Sequence, residues 1–339
     1  MNETEAVHIL MHLPKTSLHQ LIRDHGSALS ALSTIPWQRT ESFDKDCALI
    51  EKENIKLVSY ADKEYPTALK ALSDFPPLLY VKGDLLPYDD SGLAIVGTRE
   101  CSIYGQEMAQ ELAKEVASQN ITIISGLARG IDTAAHIGAL KSGRTVAFIG
   151  SGLSNLYPKE NANLAAEISY HGAVASELPM ATPPDKRHFP RRNRLVSALS
   201  KGVLLVEAPI KSGAMITMGI AHAQKKYCFA LPGRADMESF RGNHFLIKKQ
   251  KALLVEKGEE MISILLPETK MIKTIKKPCI ELTAQEKLLI DHFPIEEVGI
   301  EALAEKTQIA ISKLNALLMG LVLKRVIKEF PGKYYKRIS

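Results

Sequence analysis

Cysteine is scarce in this chain and widely spaced. Cys47, Cys101, Cys228 and Cys279 are the four in 339 residues, and no two of them form a Cys-x-x-Cys pair. A disulfide framework or a cysteine zinc site is not expected, and a reducing cytoplasmic setting is. No run of eighteen apolar residues occurs, so no membrane span and no membrane partner is expected. The opening Met1-Asn2-Glu3-Thr4-Glu5 is acidic and lacks an apolar h-region, which argues against a secretory signal. The usual catalytic signatures are missing too. No Gly-x-Gly-x-x-Gly opens the first βα unit, and no Gly-x-x-x-x-Gly-Lys-Ser/Thr occurs, which disfavours a dinucleotide cofactor and a P-loop ATPase. There is no serine elbow and no acidic cluster fit for two metals. His8, His12, His19 and His25 have no partners at metal-ligand spacing and read as structural. Asp132 and His136 stand at i, i+4 on a helix start, where Asp132 reads as a first-turn acid favoured by the helix dipole. No catalytic residue, metal or cofactor is expected; the chain reads as a binder.

What the sequence has in quantity is a repeat of short apolar runs ending in glycine-marked loops. Leu93 to Val96 lead into Gly97-Thr98-Arg99, Ile121 to Ile124 into Ser125-Gly126-Leu127-Ala128-Arg129-Gly130-Ile131-Asp132, and Thr145 to Ile149 into Gly150-Ser151-Gly152. Val203 to Val206 and Tyr227 to Leu231 continue the series. Four to six apolar residues, a loop and then a helical pattern make the βα unit of a parallel sheet buried on both faces. Ligands of such sheets sit at the carboxyl ends of the strands, beside helix N-termini. Ser125, Gly126, Arg129, Gly130, Gly150 and Gly152 are therefore candidates for phosphate-cradling loops, and Arg99 for a bidentate phosphate contact.

Four segments follow from the pattern. Residues 1–75 read as a small helical N-terminal domain, with helices over Ala6–Leu13 and Leu18–His25 stopped at Gly26. Residues 76–266 read as an extended Rossmann-like α/β domain. Residues 267–280 form a basic linker carrying Lys270, Lys273, Lys276 and Lys277. Within 281–339, Thr283-Ala284-Gln285-Glu286 is a capping box, and three helices with a final hairpin suggest a winged helix-turn-helix. The alternative is a helical cap that binds protein or packs on the core, which the scarcity of cations on the third helix favours over a DNA-reading role.

The net charge of +5 is mild, but its distribution is not even. Between Asp185 and Glu207 there is no acidic residue, while Lys186, Arg187, Arg191, Arg192, Arg194 and Lys201 fall there with Phe189 among them. Unneutralised cations with an interleaved ring are the footprint of a single-stranded nucleic-acid groove. Pro190 suits the first position of a helix over Arg191–Ser200, and some of these arginines are expected to pair internally with carboxylates such as Glu207. About half of the six are expected to remain free.

The motifs then coincide with a known family. Gly97-Thr98-Arg99 with Ser102-Ile103-Tyr104-Gly105, the run Ser125 to His136, Tyr157-Pro158-Lys159, Phe189-Pro190-Arg191-Arg192-Asn193-Arg194, and Ser212-Gly213 with Ile216-Thr217 occur in order at the expected separations. Over about Tyr65 to Leu254 the chain resembles the DNA-processing protein family DprA, also called Smf. The resemblance implies a cytoplasmic, non-enzymatic homodimer of natural transformation that binds and protects incoming single-stranded DNA and helps load the RecA recombinase. It places Arg99, Lys159, Lys186 and Phe189 on the DNA; Gly97, Thr98, Arg192, Asn193, Ser212 and Gly213 are further candidate DNA contacts. Ala214-Met215 replaces a usual Ser-Leu, a mild change, whereas His244 stands for a usual Asn and Gln250-Lys251 for a usual Gly-Ala turn, departures that bear on the shape of that last turn. Two other readings stay open. One is a Rossmann-like enzyme cleaving nucleoside monophosphates, though Pro232-Gly233-Arg234-Ala235-Asp236 lacks the complete loop of such enzymes. The other is a scaffold that recruits protein partners.

Overall fold

Seven parallel strands carry the first part of the chain, and helices cover them on both faces. A computed structural model describes residues 1–13, 18–267, 282–294, 297–324 and 326–337. The lysines of the expected linker lie outside the described residues. Two compact units result, 1–271 and 272–339.

The first unit is built on nine strands: β1 (Lys56–Ser59), β2 (Leu78–Gly83), β3 (Gly92–Val96), β4 (Ile123–Ser125), β5 (Thr145–Phe148), β6 (Ala173–Ser176), β7 (Ser200–Leu205), β8 (Tyr227–Ala230) and β9 (Leu253–Leu254). Their order is β1-β2-β6-β5-β4-β3-β7-β8-β9. Strands β3 to β9 are mutually parallel, whereas β2 runs antiparallel to β6 and β1 antiparallel to β2. The parallel sheet is thus extended at one edge by an antiparallel pair. The chain runs outward from β3 through β4 and β5 to β6, then returns to β7 on the other side of β3. Loops diverge at such a reversal, and the crevice they leave is the usual ligand position.

Strict alternation sends side chains to two cores. Leu93 and Ile95 join Leu112, Ala135 and Met261 on one face, while Ala94 and Val96 join Leu195, Val196 and Met218 on the other. Helices α1 (Glu3–Met11), α2 (Leu18–His25), α3 (Ala28–Thr34) and α4 (Glu41–Glu53) precede the sheet, and α5 (Thr67–Lys70) follows β1. Then come α6 (Ile103–Ala117), α7 (Ile131–Leu140), α8 (Ala162–His171), α9 (His188–Leu199), α10 (Gly213–Ala223), α11 (Arg241–Lys248) and α12 (Gly258–Leu265). The N-terminal helices do not stand apart from the sheet. Ala6, Leu10 and Leu32 share one cluster with Leu78 and Tyr80 of β2 and Ala147 of β5. Asp46 of α4 fixes this packing: its carboxylate accepts from the Tyr80 hydroxyl at 2.9 Å and the Met180 N–H at 2.7 Å. Burial alone would raise the Asp46 pKa, but hydrogen bonds from His12, His8, Tyr80 and Met180 hold it well below the ordinary carboxylate range.

The second unit contains α13 (Ala284–Asp291), α14 (Ile300–Thr307) and α15 (Ile311–Leu323), with strands β10 (Val298–Gly299), β11 (Ile327–Phe330) and β12 (Tyr334–Arg337). The strands pair antiparallel in the order β10-β12-β11. Thr283 and Glu286 form a reciprocal capping box on α13. Leu289, Leu303, Leu314, Leu318, Ile327 and Tyr335 make its core. Among the described residues no helix is long and apolar enough to cross a membrane.

Candidate nucleic-acid interface

A cavity of about 770 Å³ opens where β3, β4 and β7 end. Its lining comes from the loop after β3 (Gly97, Thr98, Arg99), the first residue after β4 (Gly126), the start of α9 (Phe189, Arg192, Asn193) and the N-terminus of α10 (Ser212, Gly213). Lys186 and Tyr157 border it as well. Residues spread over more than a hundred positions are brought together because parallel strands deliver their loops to one rim.

The floor is built by close backbone approaches. A Cβ on Gly97 would lie 2.4 Å from Ile131 Cγ1 and 2.9 Å from the Glu207 carbonyl, so only glycine lets the two loops meet. Gly130 reciprocates at φ +72°, packed on the Thr98 carbonyl. The Thr98 N–H donates to the Glu207 carbonyl at 2.7 Å, and the Ile131 N–H to the Thr98 carbonyl at 3.2 Å.

Arg192 lies beneath this floor and is 5% exposed. Its guanidinium donates to the Gly126 carbonyl at 2.5 Å, to the Phe148 carbonyl and to Asn193 Oδ1. A side chain at Gly126 would strike the guanidinium at 2.3 Å. Asp132 completes the arrangement by accepting from the Gly126 N–H at 3.1 Å and the Ala128 N–H at 3.4 Å. Burial lowers the Arg192 pKa to about 10, partly offset by the Asp132 charge, and burial raises that of Asp132. Arg192 therefore keeps its proton at neutral pH.

The expected phosphate loops are largely occupied by the protein itself. The Ser125 hydroxyl donates to the Ile95 carbonyl at 2.6 Å, and Arg129 pairs with Glu160. Gly150 lies against the Phe189 ring, and the Gly152 N–H donates to the Thr182 carbonyl at 2.9 Å. The basic window is likewise more neutralised than its sequence suggests. Arg187 pairs with Asp185 at 2.9 Å, Arg191 with Glu177 at 3.2 Å, and Arg194 with Glu177 at 2.6 Å and Asp74 at 2.8 Å. Asp185 and Glu177 lie just before the acid-free window, and Asp74 comes from a segment 120 residues away. Glu207 is not one of them: it takes the Ser102 hydroxyl at 2.7 Å and the Ser102 N–H at 3.0 Å, holding the start of α6. The helix also begins earlier than expected, at His188, so Pro190 occupies its third position. Lys201 is exposed at the opposite, amino end of β7.

Among the described residues, Arg99, Lys159, Lys186 and Lys211 have no carboxylate within ion-pair distance, and all four are exposed. Arg99, Lys186 and Lys211 border the cavity, where the single exposed acid is Glu100. Lys159 stands outside the lining. The Arg99 guanidinium lies 5.2 Å from the Phe189 ring centroid, and the Tyr157 ring lies 5.8 Å from it at 50°. Two rings and a guanidinium thus form one continuous π and cation surface. Lys211 and Tyr157 are additions that charge counting missed. Lys211 lies past the acid-free window, yet its place just before the Ser212 cap of α10, which accepts from the Met215 N–H at 3.3 Å, was a usable signal.

Among the described residues, the loop over residues 232–236 does not enter the cavity lining. Gly233 is packed against the Phe240 ring and Arg234 pairs with Asp236 at 2.8 Å, away from the cavity lining. His136 is fully buried, with Nδ1 at 2.7 Å from Thr145 Oγ1 and no partner for Nε2. Burial, and then the Arg192 charge, push its pKa down to about 3.

The family model described as "DNA recombination-mediator protein A" matches residues 56–266. Protein Smf of Escherichia coli is 34% identical over 304 residues, covering 87% of this chain and 81% of that protein. The DNA processing protein DprA of Streptococcus pneumoniae is 38% identical over 224 residues, 65% of this chain and 79% of the relative. An X-ray structure of the Streptococcus pneumoniae DprA superposes with a TM-score of 0.66 at 32% identity, covering 78% of this chain and 98% of that one. A Helicobacter pylori DprA structure, described for its single-stranded DNA binding mode, gives a TM-score of 0.58 at 31% identity over 64% of this chain and 99% of the other.

Two outcomes follow for stability. His136 is neutral when folded, so its contribution is fully present above the unfolded pKa of 6.5 and is lost as pH falls toward 3. Denaturant titration at pH 5 against pH 7 should show a loss that is about 2 kcal/mol smaller in His136→Leu than in the parent chain. Glu177→Ala leaves Arg194 with Asp74 alone and should cost about 3 kcal/mol, read as a lower denaturation midpoint.

Proposed function

The chain belongs to the DNA recombination-mediator protein A family, the family of DprA and Smf, and from that premise we propose that it binds single-stranded DNA along the strand-end cavity and hands it to a RecA-type recombinase. The observation that carries the reading is the group of three exposed, unpaired cations, Arg99, Lys186 and Lys211, around a Phe189–Tyr157 ring platform. Cations track the phosphates while each ring supports a base, an arrangement that tolerates any sequence. Arg192 acts from below. It holds the rim in register and adds a fixed positive charge under it. Asn193, Ser212 and Gly213 supply polar edges at the α9 and α10 starts. Lys159, outside the lining, serves as an outer phosphate contact.

The protein works as a binder without turnover, in the cytoplasm, as a homodimer of natural transformation or recombination. In support of the dimer, β9 is an open sheet edge and exposes Leu253 at 52% and Leu254 at 47%. The second unit is a winged helix that contacts protein. What supports this is α15, which exposes Ile311, Met319 and Leu323 at 48%, 60% and 78%.

Fluorescence titration with a labelled oligothymidylate tests the proposal. Phe189→Ala combined with Lys186→Ala should weaken binding by at least about tenfold, since one lost stack is worth about 1–3 kcal/mol. Lys201→Ala, at the far end of β7, should leave affinity unchanged. The four phosphate contacts, Arg99, Lys186, Lys211 and Lys159, predict a slope of log affinity on log salt of about −3 for a single strand. Equal affinity of the double variant and the parent chain would sink the reading. Removal of residues 272–339 should spare DNA affinity and abolish stimulation of recombinase loading.

A further inference from the structure

Outside the lining of the strand-end cavity, folding gathers two histidines and an aspartate that lie 38 and 34 residues apart in sequence. His8 of α1 and His12, the residue capping its C-terminus, stand one turn apart and so face the same way. Asp46 of α4 meets both: its Oδ2 lies 2.9 Å from His8 Nε2 and 3.3 Å from His12 Nε2. The three ligand atoms fall within 4.8 Å of one another, and all three side chains are buried. We propose that His8, His12 and Asp46 bind a divalent transition-metal ion of the zinc class, which ties α1 to α4.

The spacing fits the chemistry. Bonds of about 2.0–2.1 Å at a tetrahedral angle hold neighbouring donors about 3.3 Å apart. The present distances lie within a few tenths of an ångström of that value. An ion would replace the hydrogen bonds that now link the imidazoles to the carboxylate, with small side-chain shifts. Two imidazoles and one carboxylate suit zinc, cobalt or nickel and are poor in the oxygen donors that calcium and magnesium require. The carboxylate is already oriented, by the Met180 N–H on Oδ1 and the Tyr80 hydroxyl on Oδ2. Such outer partners are the usual support of a ligating carboxylate. Three protein donors leave the fourth tetrahedral position to water. Access is provided by a cavity of about 550 Å³ whose wall includes His8 and Cys47. Phe43 packs on both imidazoles, at 4.9 and 5.5 Å between ring centroids, and limits their rotation.

Untagged full-length protein, stripped with a chelator, provides the test. Titration with Co²⁺ should give one equivalent of an intense visible absorption of tetrahedral cobalt, displaced by Zn²⁺. Saturating Zn²⁺ should raise the thermal midpoint by several degrees. Asp46→Asn and His12→Gln should each lower metal affinity by at least tenfold, and His12→Gln covers the case in which the Asp46 variant does not fold. Stoichiometric uptake lost in the variants supports the site. Less than a tenth of an equivalent in the parent chain, or full uptake in folded His12→Gln, overturns it and leaves a hydrogen-bonded latch.

Discussion

A guanidinium almost closed off from solvent holds the functional end of the sheet together. Arg192 donates to the carbonyls that end β4 and β5, while Asp132 takes the N–H groups of the same β4 loop. Unpaired carbonyls at buried strand ends would each cost free energy, and one planar donor with five hydrogens satisfies two of them at once. The arrangement has a side effect. Because Arg192 and Asp132 compensate each other inside, the rim above them is free to carry net positive charge without a buried ion left unmatched. Gly97 and Gly130 then let the neighbouring loops close over this floor.

Positive charge at the rim is therefore divided by depth. Arg194 and Arg191 are anchored to Glu177, and serve to fix α9 against the sheet. Arg99, Lys186 and Lys211 stay in solvent with no carboxylate within ion-pair distance. The same residue type works as a structural clamp below and as an exposed cation above, and burial with its partners decides which. Two rings beside the exposed set complete a surface whose contacts are electrostatic and stacking in kind.

The sheet and its strand-end crevice were legible because they follow from local pattern. Apolar runs such as Leu93–Val96 are short, end in glycine and are buried on both faces, as a parallel strand must be. Phe189 and Lys186 were legible because they stand in an acid-free stretch. Ion pairing was not. Asp74 and Glu177 neutralise arginines from outside the window, and no one-dimensional charge count sees a partner over a hundred residues away, as Asp74 is from Arg194. The glycine loops were read as cradles because glycine permits close approach. What approaches Gly126 is Arg192 and what approaches Gly150 is Phe189, so the space a ligand might use is filled by the protein. His8 and His12 looked solitary for the same reason: their carboxylate arrives on another helix.

The topology explains why so many separate motifs end at one place. A chain that winds outward from β3 and then restarts on its other side at β7 must leave adjacent loops pointing apart. The α6 and α10 N-termini flank that gap, and their cap serines, Ser102 and Ser212, accept the Gly105 and Met215 N–H groups, so both dipoles are oriented to the rim. A capped helix end attracts an anion through its field more than through a direct bond. In the proposed DNA-binding reading, the long side chains of Arg99, Lys186 and Lys211 follow a flexible phosphate chain, where a rigid cradle of backbone N–H groups would demand one fixed phosphate position. Satisfied loops below and long cationic side chains above are thus two halves of one physical solution, a stiff floor under an adaptable rim.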